Sequence, residues 1–444
     1  MTSPPTFPTL RTLAFGTLTL ALATNSVTAQ SVEERLEALE NENAELRNRL
    51  DSIDGRSGAL EDGFDAIGRE IERLEFRDII PKVGESKFGL GPGASKVYGI
   101  EQGISIGGYG EFLYQHSPDA IDNFDALRVV TYLGYKFTDK WVFNSELELE
   151  HGSTTAQSGT TASSGSFSVE FATLDYLYDP ALNFRAGVVL PPLGFINELH
   201  EPTTFLSARR PRTETRIIPT TFRSPGVGIF GETDNFEYRT YLVSSLNGEN
   251  FTSAGLRGGR QQANREAAED FAWTGRLDFV GIDDLKIGGS FYVGETGQDG
   301  VDTNGNSIPD LPLGIFGAHV EYRPGPWWFR ALYTTAVVGD SSEFNTNTGQ
   351  NLARRQHGVY GEVGVDVLAL GGNESGQSLT PFFRYEYIDT QRELAAGFSP
   401  EPRSENIWTL GVNYKPIQEI VFKVDYEASS RGPDYLNVLF GYVF

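Results

Sequence analysis

The sequence contains no cysteine, so no disulfide framework holds the fold and no thiol chemistry operates in it. It has no long apolar run either. The longest, Thr12 to Ala23, falls short of the ~20 residues that a membrane-spanning helix needs. Cations are scarce, 36 against 60 acidic side chains, and the formal charge of −24 argues against nucleic acid as a partner. Enzyme signals are also missing. His116, His151, His200, His319 and His357 are scattered without metal-ligand spacing. No nucleophile elbow is present, and Gly108-Tyr109-Gly110-Glu111 reads as a strand feature, not a phosphate loop.

The short apolar run follows Arg11 and precedes Val27-Thr28-Ala29, a small-x-small cleavage pattern, so residues 1–29 are predicted to be a secretory signal peptide. An exported chain without disulfides needs another source of stability. A closed hydrogen-bonded barrel is one, because it leaves no strand edge.

Residues 30–77 carry a heptad seam. Val32, Leu36, Leu39, Asn43, Leu46, Leu50 and Ile53 are spaced alternately by four and three, and Leu60, Phe64, Ile67, Ile71 and Leu74 resume the same register. The pattern predicts a periplasmic, self-associating α-helical coiled coil. Asn43 at a core position would fix its register, and Gly55, Gly58 and Gly63 would weaken its middle. Residues 78–102, rich in Gly, Ser and Lys, read as a linker.

From residue 103 to 444 the period changes to two. Sixteen strands are predicted: 103–116, 125–137, 141–152, 166–178, 182–190, 224–231, 236–246, 270–280, 284–295, 311–323, 326–338, 355–369, 378–390, 404–415, 418–428 and 435–444. Connections alternate short and long, as they do in outer-membrane barrels with short periplasmic turns and long outer loops. One face of each strand is apolar and the other charged. Ile420, Phe422, Val424 and Tyr426 alternate with Lys423, Asp425 and Glu427. A cation on a lipid face costs ~2–4 kcal/mol at the bilayer midplane, so the charges should point inward. Trp141, Trp327, Tyr435 and Tyr442, near strand ends, fit interfacial girdles. The predicted fold is all-β: a 16-stranded antiparallel transmembrane β-barrel behind a coiled-coil segment. A soluble sandwich also alternates, but it rarely alternates its connection lengths in this way.

A sixteen-stranded barrel is wide enough for an aqueous channel, and its selectivity depends on what narrows it. The third outer loop, 191–223, is the longest and is apolar and proline-stiffened, which suits packing into the lumen. It carries Arg209, Arg210, Arg212, Arg216 and Arg223 against Glu198, Glu201 and Glu214, five cations to three anions. A cationic constriction favours anions. Folded over the outer surface instead, the same loop would select nothing. By alternation Arg128, Lys136, Arg185, Arg239, Arg276, Arg330 and Arg384 fall on the lumen face. They could relay anions, or they could pair with lumen carboxylates such as Glu146, Glu148, Glu237, Asp278 and Glu386.

The stretch from Phe205-Leu206-Ser207-Ala208-Arg209-Arg210-Pro211 through Arg216-Ile217-Ile218-Pro219 to Arg223-Ser224-Pro225-Gly226-Val227-Gly228, with the coiled coil, the sixteen strands and the terminal Phe444, resembles the phosphate-selective porin O and P family. The resemblance covers about 100–444 and is most specific over 205–231. It implies a homotrimer of barrels in outer-membrane lipid, an inward third loop and basic residues guiding anions such as phosphate. Members of that family use a lysine-rich eyelet; this loop has arginine and no lysine. The expected function is passive diffusion of small hydrophilic solutes or ions, biased to anions. The alternative is a general or structural barrel tethered by its coiled coil.

Asp302, Asn304, Asn306 and Asp310 alternate around Gly305 in the manner of a calcium loop, since oxygen ligands at alternate positions around a glycine turn suit Ca²⁺. No other cofactor is expected.

Overall fold

The computed structural model describes residues 85–444 except 156–164, 303–304 and 374, together with Glu37, Asn41, Ala44, Glu45 and Arg47. Those five positions are helical and exposed. The predicted signal peptide, the rest of the coiled coil with Asn43, and Asn304 of the calcium-like loop lie outside the described residues.

Sixteen strands follow in sequence. The first four are β1 (Gly103–His116), β2 (Asn123–Lys136), β3 (Trp141–Glu150) and β4 (Phe167–Asp179). Next come β5 (Leu182–Val189), β6 (Ser224–Glu232), β7 (Phe236–Ser244) and β8 (Phe271–Ile282). They continue with β9 (Leu285–Gly294), β10 (Leu313–Tyr322), β11 (Trp327–Val338) and β12 (Arg355–Val365). The last four are β13 (Ser378–Glu393), β14 (Ser404–Ile417), β15 (Ile420–Ser429) and β16 (Tyr435–Val443). Each pairs antiparallel with its neighbours in sequence, and β1 pairs with β16, so the sheet closes into a barrel. Phe444 completes the seam: its N–H donates to the Gly108 carbonyl at 2.9 Å, and Gly108 N–H donates back to the Phe444 carbonyl at 3.1 Å.

Alternation places most strand ends within two residues; β13 runs to Glu393, three past the predicted 390, and β12 departs furthest. β12 stops at Val365, short of the predicted 369, because Asp366 caps a new helical turn, Val367–Leu370, through the N–H groups of Leu368 (3.0 Å) and Ala369 (3.3 Å).

The barrel is built inside out relative to a water-soluble protein. On β15, Lys423, Asp425 and Glu427 are buried, while Phe422, Val424 and Tyr426 are close to half exposed. On β16, Leu436, Val438 and Phe440 face out while Asn437 is buried. Near the short turns, aromatics cluster on the outer surface, with Trp141 beside Tyr176 (4.8 Å) and Trp327 beside Phe329 (5.8 Å). Tyr435 is a correction to the predicted girdle. It shares the inward parity of Asn437 and lies under the Arg209 guanidinium at 5.3 Å.

The lumen is not empty. The third loop, 190–223, crosses it and is tied to strands on opposite walls. His200 meets Glu146 of β3 at 3.1 Å, and Arg276 of β8 donates to the Gly194 carbonyl. Across the barrel, Lys423 of β15 donates to the Phe205 and Ser207 carbonyls, each at 2.9 Å, and Thr213 N–H reaches Glu386 of β13 at 2.9 Å. An apolar core joins this loop (Phe195, Ile217, Ile218, Phe222) to the inward faces of β7 to β14 and to outer-loop residues such as Phe251 and Phe344.

Residues 85–100 are not a linker as their composition suggested. Leu90, Ala94, Val97 and Tyr98 are buried in a second core with Tyr109, Tyr132, Val142 and Phe171 on the β1–β4 wall. Glycine here serves close approach rather than flexibility. A Cβ on Gly91 would come within 2.3 Å of the Glu201 carboxylate, and one on Gly134 within 2.7 Å of Val97.

Candidate functional site

Two sets of arginine occupy the lumen. The first set sits on the strands and is neutralised. Arg128 contacts Glu111 at 2.8 Å and Glu148 at 2.9 Å, Arg185 contacts Asp175 at 2.8 Å, and Arg239 contacts Glu198 at 2.8 Å. Arg276 contacts Asp278 at 2.7 Å, Arg330 contacts Glu321, and Arg384 lies 2.9 Å from Glu386 and 3.4 Å from Glu362. Five of the six are buried, Arg384 completely. Lys136 is engaged as well, donating to the Ile100 carbonyl at 2.6 Å. As placed, these side chains brace the wall and offer no free charge.

The second set is carried by outer loops. Arg209, Arg212 and Arg216 of the third loop meet Arg403 and Arg431 of two later loops around one cavity of ≈ 390 Å³, with Glu405, Thr215, Thr390 and Tyr435 also on its walls. Arg212 is held by Glu427 (2.6 Å) and Glu405 (2.7 Å), and Arg209 is 3.8 Å from Glu427. Arg216 and Arg431 are exposed, and among the described residues neither forms an ion pair.

Arg210 and Arg223 turn instead toward the β2–β4 wall. Arg223 pairs with Glu170 of β4. Arg210 donates to the His200 carbonyl at 3.2 Å and forms no ion pair among the described residues. Beside it stand two cations from the loop after β7. Arg257 Nη1 is buried without a partner, and Arg260 donates only to carbonyl and hydroxyl oxygens, among them the Thr221 carbonyl at 2.7 Å. Burial first, and then the guanidiniums of Arg260 and Arg210, hold Arg257 down to about 9. Burial likewise holds Arg260 down to about 10, partly offset by Glu170. Crowded cations with depressed proton affinity favour the arrival of an anion.

The carboxylates of the third loop are structural: Glu198 pairs with Arg239 of β7, and the other two hold backbone N–H groups. Glu214 accepts from the N–H groups of Phe195 (2.7 Å) and Ile196 (2.8 Å) and from Tyr360 Oη (2.7 Å), while burial raises its proton affinity. Glu201 accepts from Gly93 N–H at 3.0 Å and Tyr132 Oη at 3.1 Å. Burial pushes it up to about 7 against those donors. Burial lowers His200, but the Glu146 carboxylate outweighs it, so His200 is raised overall.

Sequence reasoning placed cations on the third loop and the wall but passed over Arg257, Arg260, Arg403 and Arg431. The signal was available. Arg257, Arg260 and Arg265 crowd one outer loop with no lysine and few apolar neighbours to explain them. In the calcium-like loop, the Asp302 carboxylate accepts from Asn306 N–H (2.8 Å) and Nδ2 (3.0 Å). Among the described residues no group of three or more His, Cys, Asp or Glu is arranged to hold a metal.

No protein-family model matches the chain. Among solved structures it is similar to the trimer form of OmpT, an outer membrane protein of Vibrio cholerae (12% identity, TM-score 0.49, covering 78% of this chain and 100% of that one). It is also similar to OmpF of Salmonella typhi in complex with daunomycin (11%, 0.48, 77% and 98%). A third is the outer membrane channel DcaP of Acinetobacter baumannii (13%, 0.46, 77% and 97%). In sequence, an uncharacterized protein of Aquifex aeolicus (strain VF5) is 35% identical over 372 residues, which span 80% of this chain and 82% of that protein, and this chain belongs to the family of that protein.

Proposed function

We propose that the chain is an outer-membrane porin through which small hydrophilic solutes diffuse passively, with a bias toward anions. A closed barrel with a half-exposed aromatic and aliphatic exterior and buried charges suits lipid outside and a polar interior. The large apolar core fills the β7–β14 side of the lumen, so the proposed solute path runs along the β1–β5 side, past the smaller core around residues 85–100. On that proposed path stand Arg210, Arg257 and Arg260, apart from the arginine-lined outer cavity.

The observation that carries the anion bias is the division among the arginines. Wall arginines are cancelled by carboxylates, whereas Arg210, Arg216, Arg257, Arg260 and Arg431 are not. Uncancelled positive charge in a low-dielectric mouth raises the local concentration of anions. The narrower choice of phosphate rests on the resemblance over 205–231 alone, and the homotrimer rests on the same resemblance. Calcium at Asp302, Asn304, Asn306 and Asp310 is a separate proposal, to be checked by calcium titration at millimolar levels. No catalytic role is proposed.

Planar bilayers with a KCl gradient test the reading. The expected reversal potential has the sign of chloride preference. Replacing Arg210, Arg257 and Arg260 together by Gln should move it toward zero. Preference for potassium by the native barrel would remove the anion clause and leave the pore. The filled lumen favours one other reading, a structural barrel without conductance, and a silent bilayer holding correctly folded protein would select it.

A further inference from the structure

The sector of the lumen left free of the large apolar core is blocked at its lower end. Residues 85–100 end beside Lys136, which pairs in register with Gly103 next to the short 137–140 connection, and their middle, at Gly93 and Ala94, meets the third loop. Their backbone is gripped from the wall and from that loop. Gly93 N–H and Ala94 N–H donate to Glu201 at 3.0 and 3.4 Å. Asn144 donates to the Ala94 carbonyl at 2.8 Å, and Arg185 to the Phe88 carbonyl at 3.2 Å. Tyr98 closes the lower contact, donating to Asp175 at 2.6 Å.

The barrel does not need this segment to close. Its only bridge, Lys87 with Leu90, lies within itself, and β1 begins after it at Gly103. Its apolar core forms a cluster distinct from the one that joins the third loop to β7–β14. The wall is nevertheless shaped to receive it, since a side chain at Gly134 would collide with Val97.

We propose that residues 85–100 form an internal stopper seated beneath the third loop, and that this stopper, together with Glu201 as its clasp, sets the size limit for solutes crossing the barrel. The proposal deepens the porin reading and rests on it for what crosses. The cations at the outer mouth choose the charge of the solute, and the stopper limits its dimensions. Because the grip is on backbone N–H and C=O groups, it depends on the geometry of the glycines more than on the side chains between them.

The test deletes residues 86–99 from the full chain and compares single-channel conductance and the entry of graded sugars into liposomes. The resistance of the barrel to unfolding by detergent, read as a heat-dependent gel shift, verifies folding. A conductance at least two-fold higher and admission of larger sugars are expected. A folded deletion variant with native conductance and native cut-off overturns the proposal. Seating is tested without deletion by the double variant Val97→Cys, Gly134→Cys in a chain that has no other cysteine. The Val97 Cβ lies 2.8 Å from where a Gly134 Cβ would stand, about an ångström from disulfide spacing. Mild oxidation should join them, and a folded barrel in which they stay apart also overturns the proposal. A silent native barrel and a conducting deletion variant would instead sustain the stopper and remove the open-porin reading.

Discussion

The six wall arginines and the five uncancelled loop arginines carry the same side chain in opposite surroundings, and the difference comes from the ladder. For four of the six wall arginines register supplies the partner, whereas Arg239 and Arg276 face each other and are held by Glu198 of the third loop and Asp278. Glu111 stands opposite Arg128, Asp175 opposite Arg185, Glu321 opposite Arg330 and Glu362 opposite Arg384. A loop has no register to bring a carboxylate to each cation. Arg210, Arg257 and Arg260 crowd together with only a partial offset from Glu150 and Glu170. The wall therefore uses arginine as a brace, and the mouth uses it as a field.

The sharpest way to break this comparison is to remove one arginine of each kind. Arg384→Ala strands Glu362 and Glu386 in the interior and should cost about 3–5 kcal/mol, read as a large fall in the melting temperature of the barrel in detergent. Arg257→Ala should leave that melting temperature nearly unchanged, because it relieves cation crowding. The second effect in size is on selectivity. Changing Arg210, Arg257 and Arg260 together to Gln should lower the chloride-to-potassium permeability ratio by roughly ten-fold, or about 1.4 kcal/mol, in reversal-potential measurements.

A third, smaller effect concerns Glu201. Its proton affinity is raised in the folded state, so folded protein binds the proton more tightly than unfolded chain between the ordinary carboxylate pKa of 4.5 and about 7. Stability from this group is present below that window and is lost as the pH rises through it. Glu146 and Lys96 face the same carboxyl and add to the native background. The native barrel should therefore lose more melting temperature between pH 4.5 and 7.5 than Glu201→Gln does, and equal losses would contradict the assignment. The smallest effect belongs to the exposed pair Arg354–Glu393. Arg354→Ala should change stability by less than about 1 kcal/mol and should vanish into noise in high salt.

Much of the wall was readable in advance because alternation separates an apolar outward face from a polar and charged inward one. It placed Lys423, Asp425 and Glu427 inward and Phe422, Val424 and Tyr426 outward without any knowledge of contacts. The wall pairing was legible too. Folding the chain about Pro324-Gly325 lays Glu321 against Arg330, a count that parity alone does not make. The interior was harder. Residues 85–100 carry glycine and serine in linker proportions, and nothing local distinguishes glycine that frees a chain from glycine that lets it press against Glu201 or Tyr132. Tyr435 was misassigned because aromatic identity outweighed parity. The gathering of Arg403 and Arg431 with Arg209 and Arg216 depends on which loops lean together over the mouth, a three-dimensional fact with no sequence period.

The bonds from the third loop to β3, β8, β13 and β15, spaced around the barrel, have a mechanical consequence. A hollow cylinder of sixteen strands resists squeezing only through its own hoop and can ovalise as the surrounding bilayer presses on it. Struts spanning the diameter convert that pressure into compression along hydrogen-bonded ties. The barrel is thus braced from within, and in the proposed outer-membrane channel lateral tension should change the conductance less than it would that of an unbraced tube.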